Sequence, residues 1–300
     1  MTIPMVIGFA GSSCTANGTT GYRPKTMADL LAELPLYKFS FLNIADSGWA
    51  TFPNLVNLAD LSTANLIIFD QVNDESVDTA EVEALIRKAW TTGQRVISAV
   101  LPAWTVVENA QVNTPANQTA LEQHLALCTA YGVPVVDFWQ YCKDHVPGDY
   151  NLSDLYADTA HPSAIGYTII ETLLDDYLPN GGSVGTLPTR IYAASGDFEQ
   201  PPVIKVGVQH DSHTGVWTEN GTSISSAEVG ATITFSGTFR KFGCYRASGA
   251  YPIVTVTIDG GIPIDNFAFY QNGYDIGARA AHTIVITVVT TCQIDEFWAI

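Results

Sequence analysis

Met5-Val6-Ile7-Gly8-Phe9-Ala10-Gly11-Ser12-Ser13-Cys14-Thr15-Ala16-Asn17-Gly18 passes abruptly from a continuously apolar run to small, polar residues. A short run that is apolar throughout is expected of a strand buried on both faces of a parallel sheet. Arg23 to Leu34 follows as a helix with Met27, Leu30, Leu31 and Leu34 on one face. The same alternation then repeats. Strands are expected at Tyr37–Ile44, Leu66–Asp70, Arg95–Pro102 and Val133–Phe138, with helices at Thr79–Thr92, Ala116–Tyr131 and from Ser163 to Tyr177. Strand and helix in regular alternation predict a doubly wound, flavodoxin-like parallel sheet in a three-layer α/β/α domain.

At Asn180 the pattern changes. Asn180-Gly181-Gly182-Ser183-Val184-Gly185 reads as a linker, and Gly196 to Pro202 adds a second break. Beyond them come short β-branched runs at Val216-Trp217, Thr232–Ser236, Val254–Ile258 and His282–Val288, with a turn signal at Asp259-Gly260-Gly261. The expected organisation is an α/β domain over 1–180, a linker over 181–205 and an all-β sandwich over 206–300.

The chain has 300 residues, of which 47% are hydrophobic and 14% charged, with a formal net charge of −17. That charge excludes a general nucleic-acid binder, which presents a basic face, and argues against docking on an anionic membrane. No apolar run approaches the ~20 residues that span a bilayer. A surface poor in Lys and solvated by Thr, Ser, Asn and Gly points to an extracellular or virion-associated protein. The opening run has no basic leader and is not read as a signal peptide, so a piece of a longer polypeptide is expected. Cys14, Cys128, Cys142, Cys244 and Cys292 form no metal or haem pattern; Cys244 and Cys292 are candidates for a disulfide only if they face each other.

A Ser/Gly-rich loop after a first strand either cradles a phosphate or presents a nucleophile. Neither phosphate fingerprint is present. The nucleophile reading needs a base, and Asp158-Thr159-Ala160-His161-Pro162 offers one. An Asp three residues before a His can hold Nδ1 and leave Nε2 facing a hydroxyl. Four positions then fall at the C-terminal ends of strands or in loops: Ser13, Gly48, Asn73, and Asp158 with His161. Acyl transfer needs a serine nucleophile, a histidine base, an orienting carboxylate and donors for an oxyanion. The N–H groups of Ser13 and Gly48 and the amide of Asn73 are the candidate donors.

Gly11-Ser12-Ser13-Cys14-Thr15, Gly48, Val72-Asn73-Asp74 and Asp158-x-x-His161-Pro162, in this order, resemble the four sequence blocks of the SGNH (GDSL-like) hydrolase superfamily. The resemblance covers roughly residues 3–178. It implies Ser13 as nucleophile, Gly48 and Asn73 as oxyanion donors, and Asp158 and His161 as the rest of a triad, with no cofactor. Two positions depart from the family pattern: Ser12 stands where the family has Asp, and Gln71 where it has Gly. Ser12 also leaves a one-residue ambiguity about the nucleophile, which the Gly-x-Ser-x-Thr register resolves toward Ser13. The later domain resembles galactose-binding-like jelly rolls in Gly230-x-x-x-x-Phe235-x-Gly237-Thr238, Val256-x-Ile258-Asp259-Gly260, Ala281-His282-Thr283-Ile284 and Ile294-Asp295-Glu296-Phe297. This resemblance implies sugar binding or a structural cap.

The expected activity is a serine esterase acting on acyl, above all O-acetyl, esters of carbohydrate or on another small ester. A lipid esterase or thioesterase is the rival enzyme, and a non-catalytic adhesion protein of an envelope or virion tail the rival class. Cys14 is a rival nucleophile on chemistry alone, against its reading as a small buried turn residue. Asp70 and Asp74 read as cap or turn residues, and His124 and His145 as solvent-facing. Trp49 and Trp104 suit either packing or a substrate cleft. His210 and His213 lack a third metal ligand. The sequence does not settle the oligomeric state.

Overall fold

The computed structural model describes residues 3–16, 26–28, 37–45, 51–73, 78–102, 115–159, 161–178, 186–192, 196–245, 253–268 and 273–300. The chain divides into two compact units, Met1–Ser195 and Gly196–Ile300.

In the first unit, strands β1 (Ile3–Ala10), β2 (Tyr37–Asn43), β3 (Leu66–Asn73), β4 (Arg95–Pro102) and β5 (Val135–Asp137) form one parallel sheet in the order β2-β1-β3-β4-β5. This is the flavodoxin-like doubly wound order, whose switch point lies between β1 and β3. Ile7, Phe9, Leu66, Ile68, Ile97 and Val100 are all fully buried, as strands covered on both faces require. The described helices are α1 (Ser13–Ala16), α2 (Thr51–Asn57), α3 (Thr79–Thr91), α4 (Pro115–Tyr131), α5 (Phe138–His145), α6 (Leu152–Leu155) and α7 (Ala164–Asp175). Helix α2 packs on α3 and α3 on α4, while α7 packs on β5 and α5.

Three local expectations change. Phe138 does not end a strand but begins α5, because the Asp137 side chain accepts the Gln140 N–H at 2.8 Å and caps a helix there. The loop expected after β2 contains the buried helix α2. Of the helix expected at Arg23–Leu34, only Thr26–Ala28 is described, and it is helical. The stretch 186–192, read as linker, is tied to α3 and α4. Glu83, fully buried, accepts the Ile191 N–H at 2.7 Å, the Tyr192 N–H at 2.8 Å and the Tyr131 hydroxyl at 2.6 Å. Arg87 donates to the Pro188 carbonyl at 2.8 Å.

The second unit is antiparallel and all-β. Its strands are β6 (Val203–Val206), β7 (Ser212–Thr214), β8 (Thr218–Asn220), β9 (Ser223–Ser226), β10 (Thr232–Tyr245), β11 (Ile253–Ile258), β12 (Ile264–Ala268), β13 (Tyr274–Val288), β14 (Cys292–Ile294) and β15 (Glu296–Ala299). One sheet runs β12-β11-β13-β10-β15-β6, with β7 also on β10, and a smaller one runs β14-β9-β8. This arrangement is consistent with a β-sandwich. Its core holds Ile233, Phe235, Phe239, Phe242, Ile284 and Phe297, with Phe235 stacked on Phe297 at 4.5 Å. Val216-Trp217 is not a strand: Gly215, at φ +78°, turns the chain there and β8 begins at Thr218. Asp259 and Gly260 both have positive φ and turn β11 into β12. All five cysteines are buried and none is in a disulfide, Cys244 and Cys292 included.

Candidate active site

Strand β1 delivers Gly11-Ser12-Ser13 to the C-terminal edge of the sheet, where open α/β sheets carry their sites. The chain turns at once into the short helix α1, which leaves Ser13 half-buried while Ser12, Cys14 and Thr15 point inward. Asn54 of α2 holds the turn by accepting the Gly11 N–H at 2.8 Å and donating to the Gly11 carbonyl at 3.3 Å.

The Asp-His segment is a closed loop between α6 and α7. The Ala157 N–H donates to the His161 carbonyl at 2.9 Å, Tyr156 bridges Pro162, and the Ser163 N–H donates to the Leu155 carbonyl at 2.8 Å. Ser163 then caps α7 by accepting the Gly166 N–H at 3.2 Å. Gly166 has to be glycine here, because a Cβ would lie 2.3 Å from the Leu155 carbonyl oxygen. Asp158 accepts the His161 backbone N–H at 2.8 Å and faces Nδ1 of the same ring at 2.9 and 3.0 Å.

Across the sheet edge, His161 Nε2 lies 2.7 Å from Ser13 Oγ. An ionised carboxylate only accepts hydrogen bonds, so the proton of the neutral ring sits on Nδ1 and the Nε2 lone pair faces the hydroxyl. Ser13, His161 and Asp158, 148 residues apart at the extremes, thus form one hydrogen-bonded chain. The His161 side chain is one-third exposed and that of Asp158 57% exposed, so the chain opens to solvent.

The other predicted positions fare differently. Asn73 ends β3 opposite Pro102 of β4, and its side chain lies outside what the structure describes. Gly48 lies outside the described residues, as do Trp49, Asp74 and Trp104. Burial, with the nearby charge of Asp70 adding to it, pushes the Cys14 thiol far above its ordinary pKa. A thiol that stays protonated is not a nucleophile.

Of the two histidines expected to face solvent, His124 is placed otherwise and His145 is partly exposed. His124 is fully buried between Ser98, whose Oγ is 2.7 Å from Nε2, and the edge of Phe69. His145 ends α5 rather than lying in a loop, and its Nδ1 lies 2.6 Å from Asp149. His210 and His213 bond each other, Nε2 to Nδ1, at 2.7 Å. Two residues that hold the nucleophile turn escaped the sequence reading: Asn54, hidden in a helix too short to show a period, and Asp70. The one signal for Asp70 is a carboxylate closing the apolar run Leu66-Ile67-Ile68-Phe69.

No family model matches the chain, and no curated protein matches it. Solved structures do match, over the N-terminal part. A catalytic mutant of an acetylxylan esterase from Geobacillus stearothermophilus aligns over 60% of this chain and 96% of its own, at 13% identity and a TM-score of 0.52. The acetyl xylan esterase AlAXEase aligns over 58% of this chain and 100% of its own, at 16% identity and a TM-score of 0.49. A member of the lipolytic protein G-D-S-L family from Veillonella parvula covers 59% and 99%, at 18% identity and a TM-score of 0.44. At 13% identity what is shared with the Geobacillus protein is its fold, and the matched part of this chain is the parallel-sheet α/β unit.

Proposed function

We propose that the protein is a serine ester hydrolase of the SGNH type that removes acyl groups, above all acetyl, from carbohydrate. The observation that carries this reading is the 2.7 Å contact between Ser13 Oγ and His161 Nε2, with Asp158 on the other ring nitrogen. Ser13 Oγ attacks the ester carbonyl while His161 Nε2 takes its proton. The tetrahedral oxyanion is met by the Ser13 and Gly48 N–H groups and the Asn73 amide, each such donor contributing about 2.7–4 kcal/mol. As the intermediate collapses, His161 returns the proton to the departing alcohol oxygen and the acyl group stays on Ser13. A water then gives a proton to His161 and its oxygen to the acyl carbon, and the acid leaves as Ser13 Oγ is reprotonated. Asp158 holds the ring tautomer through both halves. No step calls for a cofactor.

The carbohydrate preference is supported by the fold shared with an acetylxylan esterase and by the sandwich-like second unit, read as a galactose-binding-like jelly roll that binds sugar or braces the enzyme. The acidic, Lys-poor composition supports an extracellular or virion-associated setting.

The test is hydrolysis of p-nitrophenyl acetate, butyrate and octanoate by the native protein and Ser13→Ala. Turnover that fades with acyl length and vanishes in Ser13→Ala supports a small-acyl esterase. Preference for octanoate favours a lipid esterase. No turnover of any ester favours a non-catalytic adhesion protein.

A further inference from the structure

Asp70 follows Phe69 within β3, and β1 pairs with β3 so that Ala10 lies opposite Phe69. The carboxylate therefore emerges directly beneath Gly11 and the nucleophile turn. It is 2% exposed. Oδ1 accepts the Ser12 N–H at 2.6 Å and Oδ2 the Ser12 hydroxyl at 3.0 Å. Thr15 hydrogen-bonds the same carboxylate as well, and its N–H donates to the Ser12 carbonyl at 3.1 Å. Ser12 Oγ in turn accepts the Cys14 N–H at 3.2 Å. Gly11 leaves room for the carboxylate: its φ is +146°, and a Cβ would stand 1.7 Å from Asp70 Oδ1. The residues that Asp70 grips, Ser12 and Thr15, lie on either side of Ser13.

We propose that Asp70 is a positioning residue for the nucleophile, its carboxylate gripping Ser12 and Thr15 so that the Ser13 N–H and Oγ are held at the angle where Oγ meets His161 Nε2. The proposal rests on the esterase reading of Ser13. Ser12, through its N–H and its hydroxyl, and Thr15 converge on Asp70; an ionised carboxylate accepts from all of them, whereas a protonated one must donate in return. Burial pushes the Asp70 carboxyl up to about 6, with the Ser12 and Thr15 hydrogen bonds pulling against it. The titratable groups that feel its charge are the Cys14 thiol of α1 and the Tyr167 phenol of α7, both kept neutral by burial. The grip is thus complete above the carboxyl's pKa and loosens as the pH falls through it. It also gives the unusual Ser12 a partner: the carboxylate comes from the neighbouring strand instead of from position 12.

The experiment compares native protein, Asp70→Asn, Ser12→Asp, the exchange Ser12→Asp with Asp70→Ser, and Ser13→Ala on p-nitrophenyl acetate from pH 5 to 9, with melting temperatures alongside. Asp70→Asn is expected to lower kcat on the order of 10²-fold, the scale of a small misplacement of reacting groups. KM should barely move, and the acid limb of the pH profile should lose one ionisation. Ser12→Asp brings two carboxylates together and lowers kcat as well; the exchange separates them and recovers most of it. Asp70→Asn with native kcat and an unchanged acid limb, beside an inactive Ser13→Ala, overturns the proposal. So does a loss in Asp70→Asn that follows melting temperature alone with no recovery in the exchange. If Asp70→Asn does not fold, the exchange decides by its recovery or its failure. Activity surviving in Ser13→Ala overturns the esterase reading instead.

Discussion

Ser98 Oγ lies 2.7 Å from His124 Nε2, the same separation as Ser13 Oγ from His161 Nε2, yet the two pairs have opposite fates. His161 carries a carboxylate on its second nitrogen and reaches solvent; His124 Nδ1 is buried with no hydrogen-bond partner, and no surface reaches the ring. A serine-histidine contact is therefore not enough for acyl transfer. What the Ser13 pair has and the Ser98 pair lacks is an orienting carboxylate and access to solvent.

The buried pair gives a prediction about stability. Burial lowers the His124 pKa to about 4. Between there and the ordinary histidine value the unfolded chain binds a proton that the folded one refuses, so His124 costs stability as pH falls from about 6.5 toward 4. Asp70, raised to about 6, works in the opposite direction over part of that range, since the folded state binds the extra proton. Against native protein, His124→Gln should lose less melting temperature between pH 6.5 and 4.5 in calorimetry. An equal loss in both contradicts the assignment of a neutral His124.

Asp158→Asn tests the tautomer argument. The amide presents a donor or a weaker acceptor to Nδ1, so the ring no longer holds its proton there. A fall in kcat of about 10³–10⁴-fold is expected, with KM nearly unchanged. Steady-state kinetics on a short-chain ester reads both.

Gly166→Ala forces a methyl group against the Leu155 carbonyl, in the frame of the loop that carries Asp158 and His161. Overpacking of this kind costs about 1–3 kcal/mol. Melting temperature should drop, and kcat with it, because the strain falls on the loop that positions the base. A drop in stability with full activity would separate Gly166 from the site.

Glu83→Gln tests the clamp on residues 188–192. The amide turns one of the acceptors into a donor facing an N–H or hydroxyl, at a cost of about 1–3 kcal/mol. Hydrogen exchange at Ile191 and Tyr192 should accelerate while hydrolysis of a small ester stays as in the native protein. Unchanged exchange would mean that the segment is held by other contacts.

How much of this was legible in the sequence follows from the range of the interactions. Strands β1, β3 and β4 were plain because burial on both faces leaves a continuous apolar run, and their alternation with helices marks a doubly wound parallel sheet. The Asp158–His161 contact was legible because it is local, three residues within one turn. Helix α2 was hidden: seven residues long and almost wholly buried, it shows no polar face to set a period. The role of Asp70 depends on the register between β1 and β3, which no local pattern encodes, so the residue read as a turn or cap. His124 was misplaced for the same reason, since its partner Ser98 comes from another element.

The central claim is that Ser13 is the nucleophile. The most direct measurement is the intact mass of the protein after exposure to a fluorophosphonate, with peptide mapping of the adduct. The account predicts one adduct, on Ser13, absent in Ser13→Ala and formed far more slowly in His161→Ala. No adduct on the native protein, or one that persists in Ser13→Ala, would contradict it.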